Sequence, residues 1–221
     1  MLKHPERVRV GAALLALLAV IGLYAFFQSP FFAITEVRVV GAARLAPETL
    51  IERAQVRLGD NVLHVDLQAV ASRLASHPRI QHAAVVRQLP GVLEITVTEY
   101  EPVALVLDDD GPVGLAADGT RVPLVADEGD GLPALLDVPP ELVPVALEAA
   151  ALVPAPLRSG VAAVGFAPAT GLWLATRSGT QILLGDGQDL ERKLAIALEL
   201  LADDYTLIDV RFPRRPVVRS Q

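Results

Sequence analysis

The side chains best suited to act on a substrate or hold a metal are few in this chain, and they form no known catalytic pattern. Four histidines are present, and none lies in an HExxH or HxH arrangement that would bind zinc. No GxSxG, GxGxxG or P-loop sequence occurs, and Gly185 and Gly187 are interpreted as a turn. The sequence therefore predicts no metal site and no cofactor. The histidines, His4, His64, His77 and His82, are interpreted as surface residues.

Paired carboxylates are the other groups that could catalyse a reaction, because a glycosidase uses two of them on either side of the scissile bond. The pairs Asp127-Glu128 and Asp203-Asp204 stand in loops or at a helix end, where solvation explains them. One Trp and three Tyr are few for stacking sugars. Asp108-Asp109-Asp110 has calcium-loop spacing but no later Glu, so a solvated turn is expected. The sequence thus predicts no enzyme, and an anchored cell-wall enzyme remains an alternative.

Composition excludes further classes of protein. The net charge is −7, and an acidic chain binds phosphate backbones poorly, so no nucleic acid partner is predicted. No cysteine is present, which excludes a disulfide framework and a thiolate metal site. The hydrophobic share of 52% suffices for a folded core together with a membrane segment. One or two folded domains are expected, with no small-molecule substrate.

The uncharged stretch Val10–Phe27 predicts a transmembrane helix. A helix of this length spans about 27 Å, close to the hydrocarbon thickness of a bilayer. A cleaved signal peptide is the alternative, but Gln28 and the residues after it provide no small-x-small cleavage site. Within the linker, residues 28–33, the stretch Pro30–Ala33 is too short to be flexible, so the first strand is expected close to the membrane surface.

Basic residues before this helix predict its orientation. Lys3, Arg7 and Arg9 stand against a single acid, Glu6, which places the N-terminus in the cytoplasm by the positive-inside rule. Everything after the helix is then extracytoplasmic. The sequence thus predicts a single-pass type II membrane protein.

The stretch after the linker carries start, stop and turn signals for a β-α-α-β-β module. In its last strand Leu93, Ile95 and Val97 alternate with polar residues, which predicts one buried and one wet face. Asp66 is placed to cap the second helix. The predicted elements are a strand over Ile34–Val40, a helix over Ala46–Gln55, a helix from Asp66 to Pro78, and strands over Ile80–Arg87 and Val92–Tyr100.

These motifs, in this order, resemble the FtsQ/DivIB family of bacterial division proteins, and the module is similar to its POTRA domain. The motifs are Val37-Arg38-Val39-Val40-Gly41, Gly59-Asp60-Asn61-Val62-Leu63 with Asp66, Ile80-Gln81-His82-Ala83-Ala84-Val85, Leu89-Pro90-Gly91-Val92-Leu93-Glu94-Ile95 and Glu99-Tyr100-Glu101-Pro102-Val103-Ala104. The resemblance continues to Val218. It implies a non-catalytic bitopic scaffold of the divisome, located in the cell (inner) membrane and concentrated at the division septum.

The remainder predicts a mostly antiparallel β domain. Its expected elements are strands within Pro102–Leu107, Val113–Ala116, Arg121–Leu124 and Leu132–Leu136, a helix over Pro140–Leu152, strands over Val161–Phe166, Gly171–Thr176 and Gln181–Leu184, a helix capped by Asp189 and running to Leu201, and a final strand over Ile208–Phe212. Val217-Val218 is a further extended segment, and Trp173 is expected to pack on the sheet.

The predicted fold class is therefore α+β. It consists of a single transmembrane helix, a POTRA module (β-α-α-β-β) and a mostly antiparallel β domain with a C-terminal helix and edge strand. The predicted domains are a cytoplasmic tail (1–9), the transmembrane helix (10–27), a short linker (28–33), the POTRA domain (34–101) and the β domain (102–221).

The remaining feature of the sequence that could serve a function is an exposed strand edge. A small β domain that is not a closed barrel has unpaired edges, and a partner strand can add to one of them. The C-terminal run is the candidate. In similar proteins the matching strands receive segments of the small coiled-coil proteins FtsB and FtsL, so the resemblance implies these partners. The implied partner-binding residues are Val210, Arg211, Phe212, Arg214, Arg215, Val217 and Val218.

The candidate edge departs from the family pattern at one step. Family members commonly have Asn-Gly or a similar flexible pair after the aromatic-Pro step, where this chain has Arg214-Arg215-Pro216. Pro216 lacks a backbone donor, which puts the register of strand addition in doubt. An alternative is that Pro213 and Pro216 only protect the edge from aggregation.

A second functional class also fits a POTRA module. Such modules precede outer-membrane barrels, where they serve protein assembly or transport by edge pairing. The chain lacks the long alternating strands of a barrel and has a predicted inner-membrane helix, so the scaffold is favoured.

The basic residues before an uncharged span generate a topological prediction. A reporter that is active only outside the cytoplasm, fused after Gln221, should be active in cells. Enzymatic assay of the fusion and its size on a gel provide the measurement. An inactive reporter, or a chain lacking residues 1–28, would contradict the predicted anchor.

Overall fold

A computed structural model describes residues 5–109, 111–201 and 205–220. The predictions on Lys3, His4, Asp110, Asp203 and Asp204 lie outside these residues. The chain divides into two compact units, Met1–Glu99 and Tyr100–Gln221.

The first unit begins with helix α1, Pro5–Phe27. The stretch Arg9–Phe32 is long and apolar enough to cross a membrane, with a mean hydropathy of 2.5, and none of its most apolar window is buried by the protein. A 3-10 turn, Pro30–Phe32, follows the helix after two residues. The ring of Phe32 is buried and lies 5.3 Å from that of Phe26, so the end of the helix contacts the folded part of the unit.

The rest of the first unit is a three-stranded sheet with two helices. Its elements are β1 Glu36–Val40, α2 Pro47–Ala54, a 3-10 turn Val62–His64, α3 Leu67–Ala75, β2 Ile80–Gln88 and β3 Val92–Glu99. The strand order is β1-β3-β2, with β3 parallel to β1 and antiparallel to β2. The order of elements matches the prediction, although β1 starts at Glu36 rather than Ile34.

The alternation predicted for β3 is confirmed. Leu93, Ile95 and Val97 are buried, while Thr96 and Thr98, which alternate with them along the strand, are exposed. Helix residues pack against this face of the sheet because their apolar positions recur at helical spacing. The buried helix residues are Leu50, Ala54, Val70 and Leu74.

Two carboxylates fix the ends of elements in this unit. The predicted cap at Asp66 is confirmed, since its Oδ1 accepts a hydrogen bond of 3.0 Å from the Ala69 N–H. Glu99 Oε1 accepts hydrogen bonds from three consecutive amides, at 2.9 Å from Ala43, 3.1 Å from Arg44 and 3.0 Å from Leu45. Burial opposes ionisation of Glu99, but these donors outweigh it and hold its pKa below the usual value.

The second unit is one nine-stranded sheet with helices packed on it. Its strands are β4 Pro102–Asp108, β5 Gly111–Ala116, β6 Arg121–Val122, β7 Ala134–Leu136, β8 Val161–Ala167, β9 Gly171–Thr176, β10 Gln181–Gly185, β11 Tyr205–Asp209 and β12 Val217–Ser220. Its helices are α4 Val143–Leu152, α5 Ala155–Arg158 and α6 Leu190–Leu200. The strand order is β12-β11-β10-β9-β8-β7-β4-β5-β6. The neighbours β4/β7, β7/β8 and β10/β11 are parallel, and the other neighbours are antiparallel.

The core of the second unit lies between the sheet and helices α4 and α6. Ala146 and Leu147 of α4 and Leu194 of α6 are buried in it. Trp173 packs on the sheet as predicted, directly opposite Gly165 of β8. A Cβ atom at position 165 would lie 2.2 Å from the indole ring, so the ring needs a glycine there.

The structure corrects the predictions near the C-terminal helix. The last strand before the C-terminal segment is Tyr205–Asp209, not Ile208–Phe212. Asp189 precedes α6 as expected, but it adopts a left-handed backbone with φ of 52° and its side chain makes no capping hydrogen bond. Its carboxylate therefore does not satisfy the first amides of the helix.

The buried face of β3 generates a stability prediction. Ile95→Ala should lower the local unfolding free energy of the β2–β3 hairpin by about 2 to 5 kcal/mol, because it leaves a cavity in a fully buried site. Thr96→Ala, on the exposed face, is the matched control and should cost less than about 1 kcal/mol. Native-state hydrogen exchange of the hairpin amides measures both. Reversed sizes would contradict the register.

Candidate functional site

The predicted partner-binding residues lie at one end of the nine-stranded sheet. Strand β11 lies between β10 and β12, and its pairing with β12 is antiparallel. The register places Asp209 opposite Val217 and Ile208 opposite Val218. The chain therefore supplies its own neighbour to β11, and a partner strand cannot pair there while β12 is in place.

Strand β12 is the outermost strand at this end of the sheet. All four of its residues are exposed. In an antiparallel ladder every second residue directs its N–H and C=O away from the neighbouring strand, so β12 presents main-chain donors and acceptors outward. The hydroxyl of Thr206 donates a hydrogen bond of 3.1 Å to the carbonyl oxygen of Arg219. This bond ties β12 to β11 and holds its free edge in place.

An exposed turn joins β11 to β12. The N–H of Arg215 donates to the carbonyl oxygen of Phe212 at 2.9 Å, which closes the turn. Phe212 is 75% exposed, and Arg214 and Arg215 are also exposed. An apolar ring beside two cations suits a partner segment that carries both apolar and acidic side chains.

A charged pair holds the start of this turn. Arg211 Nη2 lies 2.7 Å from Asp209 Oδ2, and Arg211 Nε lies 3.0 and 3.1 Å from the two carboxylate oxygens. The Arg211 N–H donates to Asp209 Oδ1 at 3.1 Å as well. The hydrogen bonds from the Arg211 side chain lower the pKa of Asp209, against the opposing effect of burial. The pair fixes the direction in which the chain leaves β11.

Val210 differs from the other predicted residues. Its side chain is fully buried, and its N–H donates to the carbonyl oxygen of Leu183 at 3.1 Å. It therefore belongs to the core and extends the contact of the C-terminal segment with β10. A partner in contact with Phe212 or Val217 would not touch it.

Lys193 is a residue of this region to which the sequence analysis assigned no role. Its side chain is buried, and Nζ donates to the carbonyl oxygen of Leu184 at 2.8 Å and to Asp186 Oδ1 at 3.0 Å. The hydrogen bond from Lys193 lowers the pKa of Asp186. The cation joins helix α6 to the end of β10. The only signal in the sequence is an acid seven residues before a lysine on the inner helix face.

This region offers main-chain hydrogen-bonding groups, an exposed ring and two cations, a set of groups suited to contact with another chain. Across the part of the chain that the structure describes, no three His, Asp or Glu side chains are grouped so that they could hold a metal ion.

Known families match both units of the chain. Residues 32–100 match the FtsQ-type POTRA domain, and residues 103–211 match the C-terminal domain of cell division protein FtsQ/DivIB. The chain belongs to the FtsQ/DivIB family. The predicted fold class and the predicted family are thereby confirmed, and the match supports the role of a divisome scaffold.

Individual FtsQ/DivIB relatives cover most of the chain. The chain is 30% identical to the cell division protein FtsQ of Mycobacterium tuberculosis over an alignment of 232 residues, gaps included. The alignment covers 96% of this chain and 70% of the relative. The chain is 32% identical over 192 residues to FtsQ of Anaeromyxobacter sp. (strain K), covering 80% of this chain and 64% of the relative. FtsQ of Chloroflexus aurantiacus is 27% identical, with 93% of this chain and 82% of the relative covered.

The charged pair at the start of the turn generates a pH prediction. Asp209→Asn should lower the unfolding free energy of the second unit at pH 7 by about 1 to 2 kcal/mol, because a charge-assisted hydrogen bond is lost. The folded-state pKa of Asp209 is lowered, so its stabilisation is fully present above the ordinary value of 3.8 and is lost as the pH falls through the lowered value. Urea unfolding followed by the fluorescence of Trp173 measures the difference.

The control for this experiment is Glu199→Gln, which removes one negative charge from an exposed position of α6. It should leave stability within about 0.5 kcal/mol of the unchanged chain. The stability difference between Asp209→Asn and the unchanged chain should shrink below about pH 4, and a difference that stays constant down to pH 2 would contradict the assigned pair.

Proposed function

We propose that the chain is a bitopic membrane scaffold of the divisome, which links septal cell-wall synthesis proteins through its extracytoplasmic POTRA and β domains. Membership of the FtsQ/DivIB family carries the proposal. The exposed edge of β12 supplies the physical means, since it leaves backbone groups free to pair with another chain.

Helix α1 is the proposed anchor in the cell (inner) membrane. A single-pass type II arrangement puts the N-terminus in the cytoplasm and the POTRA and β domains outside it, with the protein concentrated at the septum. The proposed domains keep the predicted limits, 1–9, 10–27, 28–33, 34–101 and 102–221. The division of the chain into units that meet between Glu99 and Tyr100 supports the boundary between the last two.

The proposed partners are FtsB and FtsL, which would bind at the C-terminal edge. An extended partner segment adds beside β12, and main-chain hydrogen bonds supply much of its affinity. Phe212 provides an exposed apolar contact at the end of the strand, and Arg214 and Arg215 favour an acidic segment. The proposed contact residues are therefore Arg211, Phe212, Arg214, Arg215, Val217 and Val218, with Val210 supporting them from the core.

The proposed role is not enzymatic. A scaffold acts by holding partners at one place, so it needs no cofactor and no small-molecule substrate, and the acidic chain is not proposed to bind nucleic acid. The nature of the C-terminal edge supports this reading, because its groups recognise a chain rather than activate a bond.

The edge generates a binding prediction. Phe212→Ala and Arg215→Glu should each reduce recovery of FtsB and FtsL with the full-length chain by about tenfold, while the melting temperature stays unchanged. Both side chains are exposed, so neither change disturbs the core. Quantitative co-purification from detergent-solubilised membranes measures recovery. The effect of Arg215→Glu should weaken at high salt, because an exposed charge is screened.

Matched controls exist elsewhere in the chain. Leu107→Ala removes an equally exposed apolar side chain from β4, and Arg44→Glu reverses an exposed charge in the first unit. Both should leave partner recovery unchanged. Recovery at the unchanged level with both Phe212→Ala and Arg215→Glu would move the binding site away from the C-terminal edge.

A further inference from the structure

Three exposed apolar side chains of the first unit lie near the end of helix α1. Phe31, Leu58 and Leu89 are 59%, 68% and 61% exposed, and we call them the anchor-proximal patch. They come from three separate segments of the chain. Their common location therefore depends on how these segments are tied together.

The loop that carries Leu58 is bonded to the segment just after the membrane helix. The N–H of Ile34 donates to the carbonyl oxygen of Asp60 at 2.8 Å, and the N–H of Gly59 donates to the carbonyl oxygen of Ile34 at 2.9 Å. Asn61 Nδ2 donates to the carbonyl oxygen of Phe27, the last residue of α1, at 2.7 Å. The loop is thus fixed directly against the end of the helix.

The turn that carries Leu89 is bonded to the same segment. The N–H of Thr35 donates to the carbonyl oxygen of Gly91 at 2.8 Å. A Cβ atom at Gly91 would lie 2.3 Å from the carbonyl oxygen of Ala33, so the two backbones are in close contact. The pairing of Glu36 with Val92 also shows that β1 and β3 start at one end of the sheet. The β2–β3 turn is therefore at the end where the chain arrives from the helix.

Phe31 lies closest to the helix in sequence and in space. Its ring is stacked on that of Phe26 with centroids 6.0 Å apart, and it contacts Phe32 edge-on at 5.1 Å. When α1 fills the hydrocarbon layer, Phe27 lies near its boundary. The headgroup region extends about 5 to 8 Å beyond that boundary, so Phe31 lies inside it.

We propose that the anchor-proximal patch inserts into the headgroup layer of the membrane that α1 spans, and so holds the POTRA domain against the lipid surface. The occupant of the patch is lipid. Phe and Leu gain by burial at the edge of the acyl chains, and exposed Arg57 beside Leu58 is placed to contact lipid phosphates. The proposal rests on the proposed membrane anchor and is independent of the C-terminal edge.

The absence of cysteine from the chain permits a direct test. Single-cysteine variants Leu58→Cys and Leu89→Cys of the full chain are labelled with an environment-sensitive fluorophore and placed in vesicles of phosphatidylethanolamine and phosphatidylglycerol. Lipid carrying a spin label near the top of its acyl chain acts as the quencher. The matched control is Val40→Cys, an exposed apolar position at the other end of β1, about 13 Å along the strand from Glu36.

Quenching at positions 58 and 89 should exceed that at position 40 by about twofold or more, because only the first two lie at the bilayer. Adding Leu58→Asp should reduce quenching of the label at position 89 toward the level at position 40. Hydrogen exchange of the hairpin should stay unchanged, since Leu58 is exposed. The Leu58→Asp change shows whether the protein's own side chains cause the insertion or whether the attached fluorophore does.

A label at position 17, in the middle of α1, separates the possible failures. If position 17 is quenched by a deep spin label while positions 58 and 89 match position 40, the patch does not contact lipid and the proposal is overturned. If position 17 is not quenched, both the proposed membrane anchor and the proposed lipid contact of the patch are contradicted. The labels at positions 58 and 89 could also become shielded from water only after FtsB and FtsL are added. The patch would then be a protein contact, which also overturns the proposal.

Discussion

Every β-strand has hydrogen-bonding groups on two sides, and the arrangement of the second unit follows from where those sides are filled. The short strand β7 joins the group β4-β5-β6 to the strands that lead to β12, because it pairs with β4 on one side and β8 on the other. Without it the sheet would divide into two, each with further open edges. In the continuous sheet of the described residues, open sides remain only at β6 and β12. Strand β12 is the longer of these two.

The open edge is supported by groups buried behind it. Lys193 joins α6 to the end of β10, and β10 carries β11 in parallel pairing. Thr180 Oγ1 donates to the carbonyl oxygen of Tyr205 at 2.8 Å, which positions the start of β11. Val210 then fills the core just before the turn to β12. The proposed partner-binding edge is thus held in place by contacts within the chain itself.

The sequence predicts those parts of the fold that depend on local pattern. The alternation of Leu93, Ile95 and Val97 and the cap at Asp66 follow from strand period and helix-end chemistry, and both are confirmed. The parallel pairing of β1 with β3 has no local signal, because it joins residues far apart in the chain. At the candidate site, the apolar residue Val210 predicts a strand that continues to Phe212. The observed strand ends at Asp209, where the side chain of Arg211 turns back onto the Asp209 carboxylate. The sequence does not predict the buried role of Lys193, because lysine side chains are almost always exposed.

The way the chain enters and leaves the POTRA sheet has a mechanical consequence. It enters at the start of β1 and leaves at the end of β3, and these strands are parallel neighbours. Tension between helix α1 and the second unit would therefore pull the two strands lengthwise in opposite directions. The hydrogen bonds from the Glu36–Val92 pair to the Val40–Thr96 pair are loaded in shear, so they bear the force together instead of opening one after another. At the exit, the Glu99 carboxylate fastens the strand to the loop at Ala43–Leu45. The pairing of its first and last strands therefore suits the POTRA module to transmit tension along the chain.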